Sequence, residues 1–83
     1  MSDLARNPKQ FGNLIRRARK QRGLSQAMLG EKAGLRQATI SLIETGNPAT
    51  TLETILTVLS VLDLEFRIAP RSKGTAADIE DMF

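Results

Sequence analysis

The stretch QAMLGEKAGLRQATISLIE, residues 26–44, constrains this chain more than any other. Ser25 precedes it as a helix N-cap, and Gly34 can take the left-handed conformation that ends a helix. The spacing therefore predicts one short helix over Gln26–Ala33 and a second beginning almost at once. Leu29, Ala33, Leu35, Ile40 and Ile43 fall where two such helices need apolar contacts, with Glu44 close to the same side. Gly30 is small where the two helices cross. Each helix alone is too short to be stable in water, so both must be held by packing against the rest of the chain.

The flanks supply that packing. Asn7-Pro8, with Gln10 three residues after Asn7, has the form of a helix start: an acceptor, a proline at the first helical position and a capping-box partner. The helix runs to about Arg22. Phe11, Leu14, Ile15 and Ala18 follow i, i+3, i+4, i+7 and share a buried face, which leaves Arg16, Arg17, Lys20 and Arg22 to solvent or a ligand. Gly23 serves as its C-cap. After the loop Thr45–Pro48, Thr50 and Glu53 have capping-box spacing and open a fourth helix to about Leu62, with Leu52, Ile55, Leu56, Leu59 and Leu62 on one broad apolar face. Two short helices joined by a glycine turn, set between longer ones, are the layout of a helix-turn-helix. The expected fold is all-α, a bundle of four to five helices, with one exception at its C-terminal end.

That exception is LEFRIAP, Leu64–Pro70, which alternates apolar and charged side chains and reads as a β-strand. Nothing else in the chain reads as a second strand. The simplest partner is the same strand of another copy, antiparallel across a two-fold axis, with Leu64, Phe66 and Ile68 facing a shared dimer core and the fourth helices providing the packed face. Residues 1–69 then form one DNA-binding and dimerisation domain. Residues 70–83, polar and small at first and then acidic, read as a flexible tail ending in Phe83.

Composition narrows function by exclusion. The chain has neither Cys nor His, so thiolate and imidazole metal sites and the commonest general base are missing; no cofactor is expected and an enzyme is the poorest fit. The longest strongly apolar uncharged run, Thr54–Leu62, is too short to cross a bilayer, and the N-terminus has no apolar core of signal-peptide type; the expected location is cytoplasmic, with no membrane partner. Residues 1–48 hold nine Lys/Arg against three acids, and residues 49–83 hold three against six, so the halves carry +6 and −3. A basic front half suits a polyanion.

The third helix offers the means to read DNA. At about 100° per residue, Ala38, Ser41, Leu42 and Thr45 lie away from Ile40 and Ile43, while Arg36 and Gln37 stand at the N-terminal tip. Arg36 suits guanine O6/N7, Gln37 adenine N6/N7, Ala38 a thymine methyl and Ser41 a base edge or phosphate. Leu42 suits either DNA or packing against a neighbouring element. Gln26, at the start of the second helix where N–H groups favour an anion, is expected at a phosphate, as is Thr39.

Residues 9–62 resemble the phage-repressor and Cro-like (XRE) helix-turn-helix family, which implies a lambda-repressor-like bundle. In that family an arginine of the first helix pairs with the glutamate ending the recognition helix; the matching positions are Arg19 and Glu44, which removes Arg19 from the DNA contacts. RQATISLIE followed by a fourth helix, a lone strand and a short acidic tail resembles, more narrowly, the HipB-type antitoxins. That resemblance implies a dimeric repressor of its own operon, reading palindromic double-stranded operator DNA through Arg36, Gln37, Ala38 and Ser41. It also implies restraint of a HipA-like serine/threonine kinase toxin, with Phe83 a candidate toxin contact. Two other readings share the scaffold: a stand-alone XRE regulator without a toxin, and a protein-docking module that binds no DNA.

Overall fold

The computed structural model describes residues 4–71. Four helices follow one another: α1 (Pro8–Gln21), α2 (Gln26–Ala33), α3 (Gln37–Glu44) and α4 (Leu52–Val61). The all-α helix-turn-helix bundle expected from the sequence is present. Its core is built from all four helices, with Ile15 from α1, Leu29 from α2, Ile40 and Ile43 from α3, and Val58, Leu59 and Leu62 from α4 and its end. Phe11, Ala18, Leu24, Leu35, Ile55 and Val61 pack around it.

The helix starts follow the sequence closely, with two shifts of one residue. Asn7 Oδ1 accepts from the Gln10 N–H at 2.8 Å, but the Gln10 side chain reaches back to the N–H of Arg6 rather than of Asn7. Ser25 Oγ accepts from Met28 at 3.0 Å. At α4 the expected cap at Thr50 is corrected to Thr51, whose extended backbone presents Oγ1 to the Thr54 N–H at 3.2 Å. The Thr50 hydroxyl instead donates to the Asn47 carbonyl within the loop. Adjacent threonines offer the same chemistry one residue apart, and only the path of the loop selects between them.

The four helices end in a single manner. A residue with positive φ follows each helix (Gly23, Gly34, Gly46, Asp63), and the next N–H bonds back five residues: Leu24 to Arg19, Leu35 to Gly30, Asn47 to Leu42, Leu64 to Leu59. This is the Schellman closure, which satisfies carbonyls that a helix end leaves open. At Leu24 and Leu35 the closing residue also sends its side chain onto the core. Asp63, at φ 57°, is the one closure without glycine.

Two glycines are required by close approach instead. A Cβ on Gly12 would stand 2.6 Å from the Glu44 carbonyl oxygen, so the close approach of α1 to the end of α3 at this point requires a residue without a side chain. A Cβ on Gly30 would stand 2.7 Å from the Leu35 carbonyl oxygen. Gly30 is thus small for the turn between α2 and α3, rather than for a crossing of the helices themselves.

α4 departs from its expected face. Val58, Leu59 and Leu62 are buried and Ile55 half-buried, whereas Leu52 and Leu56 stand exposed and line an open groove with Glu53, Thr57, Ser60 and Val61. The apolar residues of α4 cover two faces, only one of which the single chain buries. Beyond it, Leu64–Pro70 forms no strand ladder among the described residues, and Leu64, Phe66 and Ile68 are exposed. Phe66 lines a cavity of about 160 Å³ with Phe11, Ile43 and Ile55, so part of its ring rests on its own chain while 54% of the residue remains in solvent. The expected tail beyond Arg71, Phe83 included, lies outside the described residues.

Asp63 yields a stability test. Asp63→Gly removes both a left-handed conformation at a residue with Cβ and a carboxylate at a helix C-terminus, and raises stability by about 0.5–1 kcal/mol. Thermal melting at fixed protein concentration checks this; an unchanged or lowered midpoint contradicts it.

Candidate nucleic-acid interface

A buried ion pair holds the interface in place. Arg19 sits four residues after Ile15 on the inner stripe of α1, and Glu44 closes α3; they are 7% and 6% exposed. Arg19 Nε donates to Glu44 Oε2 at 2.6 Å and Nη2 to Oε1 at 3.0 Å, a two-pronged geometry that fixes both planes. The third guanidinium nitrogen, Nη1, donates to the Leu24 carbonyl at 2.8 Å. Arg19 is thereby a structural residue, as the family resemblance implied, with its guanidinium bonded to Glu44 and Leu24. Its pKa is raised above the ordinary arginine value by the hydrogen bond to Glu44, against the opposing effect of burial, so it stays charged at every physiological pH.

Gln26 joins this cluster. Its amide nitrogen donates to Glu44 Oε1 at 3.2 Å, which ties the start of α2 to the end of α3. Gln26 is half-buried, and the bond engages one of its two amide hydrogens. The sequence offered no signal for this bond, because Gln26 and Glu44 are 18 residues apart.

With α3 anchored at its C-terminal end, its outer side is defined. Ile40, Ile43 and Glu44 are buried; Arg36, Gln37, Ala38, Leu42 and Thr45 are exposed; Thr39 and Ser41 are half-buried on the two shoulders. Arg36 is the N-cap of α3 and makes no side-chain capping bond, so its guanidinium is not consumed in holding the helix start. Gln37, the first helical residue, stands beside it. Both project from a helix terminus whose position is set by the Gly34 turn and by the core contact of Leu35. The structure therefore brings Arg36, Gln37, Ala38 and Ser41 onto one element and leaves Arg19 behind it. The Thr45 hydroxyl donates to the carbonyls of Ser41 and Leu42, at 3.0 and 3.1 Å, and is turned back onto its own helix.

On α1, Arg16, Arg17 and Lys20 are exposed on the side away from Ile15, and Arg22, the C-cap, is exposed at the end of the helix. Gly12 was the residue most easily missed. A glycine inside an otherwise amphipathic helix lowers helix stability by about 1 kcal/mol relative to alanine, and its presence there is the signal of a close approach.

A short helix held across a glycine turn, with a hydrogen-bonding tip exposed and its far end locked to α1, defines a helix-turn-helix protein. The helix-turn-helix family matches residues 15–68, and the chain belongs to that family, in its XRE-type form. Among its relatives is Antitoxin HipB of Escherichia coli (strain K12), 32% identical over 74 residues, which are 89% of this chain and 84% of that protein. A solved complex of a HipB variant with an O2 20mer is similar at a TM-score of 0.76 and 35% identity, covering 83% of this chain and 96% of that one. A HipA-HipB-O2-O3 complex is similar at a TM-score of 0.75 and 34% identity, covering 82% of this chain and 96% of that one.

Removing one partner of the buried pair isolates the other charge. Glu44→Ala lowers unfolding free energy by about 3–5 kcal/mol, and a double change of Arg19→Met with Glu44→Leu recovers most of that loss. Urea denaturation of the wild type and the two variants measures both; a Glu44→Ala loss below about 1 kcal/mol contradicts the anchoring role.

Proposed function

We propose that this chain is the antitoxin of a HipA-like serine/threonine kinase toxin and that, as a homodimer, it represses its own operon by binding a palindromic operator in double-stranded DNA. The observation that carries the reading is the exposed tip of α3. Arg36 and Gln37 are side chains able to make paired hydrogen bonds to guanine and adenine edges, and neither is used by the fold. They stand on a basic half of the chain, and the similarity to HipB extends over 89% of the chain. Gln26, through its remaining amide hydrogen, and Thr39 position the protein on phosphates; Arg36, Gln37, Ala38 and Ser41 read bases.

Dimerisation follows from what the single chain leaves uncovered. Leu52 and Leu56 on α4, and Leu64, Phe66 and Ile68 beyond it, are all 40% exposed or more, and Ile68 reaches 91%. Beyond the Leu64 N–H, which closes α4, residues 65–70 make no backbone hydrogen bond among the described residues and run next to these apolar side chains. An antiparallel pairing with its counterpart in a second copy satisfies the backbone and covers the side chains at once. A two-fold dimer presents two copies of α3 to half-sites about one helical turn, or a multiple of it, apart. The toxin is proposed to meet the outer surface of this dimer and the tail that ends in Phe83.

Footprinting of the DNA just upstream of the gene, with anisotropy across a salt series, tests the DNA reading. A protected palindrome and steep salt dependence are expected; binding blind to sequence, or none, favours a docking module instead. On a protected site, Gln37→Ala weakens binding by about 1–3 kcal/mol and relaxes one base position per half-site. Affinity equal to wild type removes Gln37 from the contacts. Phe66→Asp places a charge in the proposed ribbon and yields monomers in sedimentation equilibrium. A variant that remains a dimer sinks the strand pairing.

A further inference from the structure

The middle of α3's outer side is apolar, which the hydrogen-bonding tip does not explain. Ala38, Leu42 and Thr45, spaced i, i+4 and i+7, form one stripe opposite Ile40 and Ile43, which are 0% and 3% exposed. Leu42 lies at the centre of that stripe and is 49% exposed. Thr45 contributes no free hydroxyl hydrogen, because its hydroxyl donates to the Ser41 and Leu42 carbonyls. Along this stripe, side chains offer methyl and methylene groups, while the polar groups Arg36 and Gln37 are confined to the N-terminal end.

We propose that Leu42, seated beside Ala38, reads the 5-methyl group of thymine in the major groove and is a specificity-determining residue of this protein. The inference rests on the DNA-binding reading above and adds a base preference to it. In the major groove the thymine C5-methyl is the apolar feature among the donors and acceptors of the base edges. An isobutyl side chain facing those polar edges would strip them of water without replacing their hydrogen bonds, which disfavours every base at that position except one presenting a methyl. The half-site thus contains thymine where Leu42 approaches, next to the base pairs read by Gln37 and Ala38.

The experiment uses the intact protein and duplexes carrying the footprinted operator, with each thymine of one half-site replaced in turn by deoxyuridine. That change removes the methyl and keeps base pairing and O4. One replacement is expected to weaken wild-type binding about three- to fivefold, the effect of exposing one methyl-sized apolar group. Leu42→Ala, at an exposed position and with unchanged circular dichroism, is expected to bind thymine and deoxyuridine duplexes equally at that position. Three outcomes overturn the proposal: no deoxyuridine effect in wild type, an equal effect in wild type and Leu42→Ala, or the absence of any sequence-specific site. The first two leave the operator-binding reading standing, and the third removes both.

Discussion

The bidentate bond between Arg19 and Glu44 is the contact on which the geometry of this small protein depends. It joins the C-terminal half of α1 to the last residue of α3, and Gln26 and the Leu24 carbonyl complete the cluster. A buried ion pair adds little net stability over a well-packed apolar substitute, but it is demanding in geometry, because both charges must stay paired. Here that demand falls on the orientation of α3. The helix has only eight residues and lacks the length to hold itself in place. Its two ends are positioned by different means, the N-terminus by the Gly34 turn and Leu35, the C-terminus by Glu44.

The helix ends explain how so short a chain forms a rigid frame. Each of the four closes with a left-handed residue and an N–H returned five residues, so each change of chain direction is set by local hydrogen bonding. Two of the closing residues, Leu24 and Leu35, also enter the packing around the core, which couples turn geometry to burial. The frame nevertheless leaves apolar side chains uncovered along α4 and the extended segment. A chain of this size has a limited core, and joining a second copy is the common physical remedy.

Much of this was legible in the sequence. The caps at Asn7 and Ser25, the turn at Gly34 and the inner positions Leu29, Ile40 and Ile43 were readable because they depend on local chemistry and on the 3.6-residue period. The burial of Arg19 with Glu44 was implied only by family resemblance, since charge pairing across 25 residues leaves no periodic trace. Two misreadings share a cause. Thr50 and Thr51 are equivalent until the loop's path chooses one. Leu52 and Leu56 continue the apolar pattern of α4 although the single chain has nothing to place against them.

By itself the sequence determined where helices start and stop, which faces are apolar and which residues stand at the tip of α3, because capping, turn conformation and helical period are properties of a few neighbouring residues. Tertiary structure alone decided that Gly12 must lack a side chain, that Gln26 bonds Glu44 and that Val58, Leu59 and Leu62 are covered while Leu52 and Leu56 stay exposed. The physical reason is distance along the chain and competition among partners. Which of several satisfiable hydrogen bonds forms, and which apolar face is covered, is settled only when elements remote in sequence are brought together.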